Sequence, residues 1–131
     1  MTPEPNARIS DSERLSRFVF TLRYFRANGT VKPNAWMPAR DNNTSVTQSS
    51  QMQESDLLRL GCEIGQLRGM NLYGRADVAH AIVRGVDLLA VPEPVAGNPN
   101  HANITGWPDS TDARLMKAAK IASRSTVSRV P

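Results

Sequence analysis

His101 and Asn103 stand two residues apart in the stretch "NPNHANITGWP", residues 98–108. On extended backbone, alternate side chains share a face, so this spacing sets an imidazole beside an amide. Such a pair can do acid–base work near neutral pH, the imidazole exchanging a proton and the amide holding a polar group in place. Lys32, and Arg75 directly after Gly74, supply cations of the kind that take up a phosphate or a carboxylate. Together these residues sketch a metal-independent phosphodiester cleavage with His101 as acid and base. The same side chains have structural uses. Asn98, Asn100 and Asn103 can bond their own backbone in turns, and His101 can enter a strand's hydrogen-bond network. His80, in "DVAHAIV", reads as a partly buried helix residue one turn from Arg84.

Other chemistries find little support in the residue types. Cys62, His80 and His101 share no metal-ligand spacing, and no CxxC, HExxH or carboxylate cluster occurs, so neither metal nor cofactor is expected. Cys62 falls mid-helix in "RLGCEIG", where a lone cysteine usually packs as a small apolar residue. A Cys62–His101 dyad is the minor alternative. There is no G-x-S-x-G turn, no phosphate-cradling glycine loop and no dinucleotide fingerprint.

The elements that must position these residues are legible from pattern. "RLSRFVFTLRYFR" fits both periods, and its aromatic and β-branched content favours a strand from about 17 to 25. Asn28-Gly29 marks a turn, and Pro33 and Pro38 keep residues 31–37 out of a helix. Polar residues 39–53 read as a mobile loop with a short strand at Thr44 to Thr47. Ser55 is expected to cap a helix from Asp56 to about Arg68, with Leu57, Leu60, Ile64 and Leu67 as its buried stripe and Gly69 as its stop. A shorter helix fits Arg75 to Arg84. "VDLLAV", 86–91, reads as a buried strand, and a last helix follows Pro108 with Asp109 as its cap. This order implies an α+β fold: a small mixed or antiparallel sheet packed with about three helices.

The chain has 131 residues, which suits a single domain. We expect a disordered lead-in over 1–11, the domain over 12–125 with its flexible loop near 39–53, and a tail over 126–131. One cysteine cannot form an internal disulfide, and the N-terminus lacks a signal-peptide pattern. No stretch approaches a membrane span. A cytoplasmic location is therefore expected. Net charge is +4, and 13 of the 16 basic residues are arginine. Such a surface is first a matter of solubility, and second a possible face for nucleic acid or an acidic protein.

"SRFVF", "VKPNAWMP", "GRAD" and "NHANITGWP" together resemble a family of small bacterial proteins that end in N-H-A-x-I-x-G-W-P before a last helix. The resemblance spans most of residues 16–123. It implies no particular activity and places emphasis on the matching positions, among them Phe18, Lys32, Gly74, Arg75, His101, Asn103 and Trp107. Trp36 stands where that pattern has Phe, and "SVTQ" where it runs S-V-F-R.

Two functions are carried forward. The first is a small cytosolic bacterial accessory protein that binds a protein partner, as one product of a multi-gene operon, through loops bearing Trp36, Trp107 and several arginines. The second is a nucleic-acid-binding protein or ribonuclease using His101, with Lys32 and Arg75 on phosphate.

Overall fold

The computed structural model describes residues 8–131. Alternation in "RLSRFV" builds β1 (Arg14–Val19), which sits inside a six-stranded antiparallel sheet. The others are β2 (Thr44–Gln48), β3 (Gly74–Ala79), β4 (Leu89–Pro92), β5 (His101–Thr105) and β6 (Thr126–Arg129), in spatial order β4-β5-β2-β1-β3-β6. Three helices complete an α+β fold: α1 (Glu54–Arg68), α2 (His80–Gly85) and α3 (Thr111–Arg124).

Pairing register assigns side chains to the two faces. Leu15 opposite Val78, Val46 opposite Ala102, and Ala90 opposite Ile104 point to one side. There they form the main core with Trp36, Trp107, Val83, Ala118 and Ile121, supplied by α2, α3 and a 3-10 turn at Pro33–Trp36. Arg75 opposite Phe18, Ser16 opposite Thr47, and His101 opposite Thr47 share the other side. That face carries α1. The helix approaches closely because Gly61 and Gly65 present no side chain: a Cβ on Gly61 would lie 2.8 Å from the Phe18 ring.

Several expectations are corrected. The first strand ends at Val19 rather than continuing to 25, because the chain turns through a 3-10 segment at Leu22–Tyr24 and Phe25 bridges Val31 across the Asn28-Gly29 turn. Residues 75–79 form a strand, not a helix. The alternation of inward Ala76 and Val78 with Arg75 and Asp77 wins because neighbours bond both edges, and only His80–Gly85 is helical. Residues 39–53 are no loose loop: Thr44–Gln48 is an interior strand, and Asn42 before it accepts from Arg114 of α3 at 2.8 Å. Residues 126–129 are a strand rather than a tail, held by Val127 against Ala76. The apolar run near 86–91 yields β4 at a sheet edge, with Leu89 exposed. The α3 cap is Ser110, whose Oγ accepts from the Ala113 amide at 3.2 Å, not Asp109.

Of the expected lead-in, residues 1–7 lie outside the described residues. Residues 8–11 are docked. Ile9 is buried and its carbonyl accepts from His80 Nδ1, while His80 Nε2 accepts from the Ala90 amide at 3.0 Å. Both ring nitrogens of this fully buried imidazole are thereby satisfied, which makes His80 a structural tie between the N-terminal segment, α2 and β4.

Candidate functional site

The apolar stripe of α1 is longer than the surface the fold offers it. Leu57 is fully buried, yet Leu60 and Ile64 are only partly covered, and Leu67 is 88% exposed. These later positions form one wall of a groove of about 290 Å³. Phe18 and Phe20 continue the apolar lining, Ser45, Thr47 and His101 line the sheet side, and the turn at Val95–Asn98 stands opposite the helix. Bonds between Val95 and Asn98 hold that turn, and Asn98 Nδ2 donates to Thr47 Oγ1 at 3.0 Å. The groove is therefore built on ordered elements on both sides.

Arg17 lies where β1 and β2 part. Register pairing between them covers Leu15 with Gln48 and Ser16 with Thr47. Beyond that point the Arg17 side chain fills the gap, Nε donating to the Ala35 carbonyl and Nη1 to the Ser45 carbonyl, each at 2.9 Å. Two of the five guanidinium N–H groups are used, and three remain. Among the described residues no carboxylate lies within ion-pair reach of it. Burial, aided by the like charge of Arg68, pulls its pKa down to about 10, so it stays cationic at neutral pH. Arg17 lines the groove.

His101 and Asn103 do share a face, and Glu93 joins them. His101 Nδ1 donates to the Glu93 carbonyl at 2.7 Å, and Asn103 Nδ2 donates to the Glu93 carboxylate at 2.7 Å. A carbonyl only accepts, so Nδ1 carries the hydrogen, which leaves Nε2 of the neutral ring as an acceptor. Arg75 is on the same face but belongs elsewhere. It bonds Asp77 at 3.1 Å and Glu54 at 2.7 Å, inside a closed ring of contacts completed by Ser16, Ser49 and Arg14. Burial opposes the Arg75 charge, but Asp77 and Glu54 outweigh it and raise its pKa. The ring anchors Glu54, the first residue of α1, to the sheet.

Lys32 is exposed at the head of the 3-10 turn that packs into the opposite layer, remote from His101. Trp36 and Trp107 are buried in the main core. Trp107 Nε1 donates to the Ile104 carbonyl at 3.2 Å, whereas Trp36 Nε1 has no partner among the described residues. Burial withdraws both indoles from any surface. Lys32, Arg75 and His101 are thus not brought together, and Cys62 is exposed on α1 outside the groove lining.

Arg17 was not among the residues singled out by type and spacing. The signal is present all the same: a basic residue between Leu15 and Val19, at an inward position of an alternating strand. Among the described residues no group of three or more His, Cys, Asp or Glu is placed to hold a metal ion, and no helix is long and apolar enough to cross a membrane. Comparison with known families, curated proteins and solved structures gives no match, so the site rests on its own geometry.

Proposed function

We propose that this protein is a binding protein, and that it works by holding an apolar segment of a protein partner in the groove between α1 and the Val95–Asn98 turn. One observation carries the reading: the apolar stripe of α1 continues through Leu60, Ile64 and Leu67 past the point where the fold covers it. Apolar surface arranged in a row beside aromatic rings gains free energy when water leaves it. The contact surface differs from the Trp36 and Trp107 loops that composition favoured; it is built from leucine, isoleucine and phenylalanine.

The reading is tested by purifying the tagged protein from its host and comparing the recovered partner across variants. Ile64→Asp and Leu67→Asp should release the partner, whereas Leu89→Asp, at an exposed site on β4, should retain it. Equal recovery with all three variants refutes the groove as the binding surface.

The nucleic-acid alternative draws on His101, whose free Nε2 is an acceptor. The cations expected to share its site belong to the polar ring and to the opposite layer, so partner binding is the reading the geometry favours.

A further inference from the structure

The groove joins two features: an apolar lining and a part-buried cation with no ion-pair partner among the described residues. Enclosing a guanidinium disfavours its charged form unless an anion compensates. The other arginines on or beside the sheet face that bears α1 are compensated: Arg14 and Arg75 by Glu54, and Arg75 also by Asp77. Among the described residues Arg17 has backbone carbonyls alone as partners. Its Nη2 makes no hydrogen bond among the described residues, and Nη1 retains one hydrogen. That pair of N–H groups is the fork that receives a carboxylate with two parallel bonds. Arg68, on the helical wall, adds positive charge at the same site. Glu63 also lines the groove, but it makes no ion pair with either arginine.

We infer that the occupant is the carboxyl-terminal end of a partner polypeptide, its last apolar side chains against Phe18, Phe20 and Ile64 and its free carboxylate on Arg17. This rests on the groove being a partner site. A chain end fits the chemistry better than a passing segment does. Its carboxylate lies beyond its last side chain, so it can meet the Arg17 fork between the two strands while that side chain rests on the groove wall. At about 290 Å³ the groove is near the lower end of ligand-site sizes, enough for a few side chains. A polypeptide is favoured over a free lipid carboxylate because apolar surface extends to the rim at Leu67 and Val95. His101 Nε2, an acceptor on the sheet side, suits a backbone N–H of the incoming chain.

The test is a methyl and arginine side-chain NMR titration of the full chain with four probes. These are acetyl-Leu-Phe-Leu with a free carboxylate, the same peptide as its amide, acetyl-Leu-Glu-Leu amide, and octanoate. The free acid should shift Leu60, Ile64 and the Arg17 Nε resonance, and should bind roughly tenfold or more tightly than the amide, the difference expected for charge-assisted hydrogen bonds. Arg17→Gln should erase that difference. If Arg17→Gln does not fold, the acid–amide ratio on the unaltered chain decides alone. Equal binding of acid and amide overturns carboxylate capture and leaves the apolar groove standing. Tighter binding of acetyl-Leu-Glu-Leu amide overturns the chain end in favour of an acidic side chain, and tighter binding of octanoate overturns the polypeptide. If no probe moves Leu60 or Ile64, the partner site itself is refuted.

Discussion

Leu57 and Leu67 lie on one face of one helix and should respond to truncation in opposite ways. Leu57 is fully buried and Leu67 is 88% exposed. Leu57→Ala removes buried apolar groups and leaves a cavity, so it should cost about 2–5 kcal/mol of folding stability. Leu67→Ala removes almost nothing from the folded state, and alanine is the better helix former, so its stability should stay within about 0.5 kcal/mol of the parent. Binding should reverse the order. Covering an exposed leucine is worth about 1.5–3 kcal/mol, so Leu67→Ala should weaken capture of acetyl-Leu-Phe-Leu by roughly 10- to 150-fold if the ligand covers it fully. Urea melts followed by circular dichroism give the first quantity, and peptide titration gives the second. A Leu67→Ala protein that loses more than about 1 kcal/mol of stability, or that binds the peptide as the parent does, refutes the division of the stripe into a folding part and a binding part.

Three further outcomes follow from particular contacts. Trp36→Phe should hold stability within about 1 kcal/mol of the parent, because the lost ring area is offset by removal of a buried N–H with no acceptor. A thermal melt showing a loss near the 3–5 kcal/mol typical of truncation to alanine would contradict this. Gly65→Ala should destabilise by about 1–3 kcal/mol despite the better helix propensity of alanine, since its Cβ would meet the Met70 carbonyl oxygen at 2.7 Å. Gly85→Ala, with open space around the new methyl, is the control that should not. Finally, hydrogen bonding to Arg75, and secondarily to Arg14, lowers the Glu54 pKa below 4.5. The folded-state pKa is the lower one, so this contribution is present above the unfolded pKa and is lost as pH falls through the folded value. Glu54 is largely exposed, so the effect should stay under about 1 kcal/mol. Urea midpoints of the parent and Glu54→Gln should converge in acid, and a gap independent of pH would exclude the linkage.

Much of the architecture was legible in the sequence because it rests on local rules. The α+β class, the Asn28-Gly29 turn, the body of α1 with its Gly69 stop, and the body of the last helix follow from periodicity and turn signals, although α1 begins at Glu54 after Gln53 and not after a Ser55 cap. The misassigned segments share one cause. Residues 75–79 and 126–129 are strands because neighbouring strands pair with them, and pairing is a property of distant residues, whereas the strand expected at Thr44–Thr47 is present as β2. "GRADVA" has enough helical character to mislead until β1 and β6 are known to flank it. The site divides in the same way. His101 and Asn103 share a face, as a two-residue spacing on a strand demands, while their partner Glu93 comes from the adjoining edge. Arg17 escaped notice because its value as a cation depends on what does not surround it, and no single stretch of sequence states that.

The sparse pairing between β1 and β2 divides the sheet into two three-stranded halves, β4-β5-β2 and β1-β3-β6. Six register pairs join β1 to β3 and four join β2 to β5, against two across the seam between the halves. Main-chain bonding is thinnest there, and the Arg17 side chain bonds in its place. Local opening should start at this seam, which amide exchange would show as the least protected line through the sheet. A ligand seated on Arg17 sits astride the two halves. Binding and cohesion of the sheet are then one equilibrium, each strengthening the other by mass action.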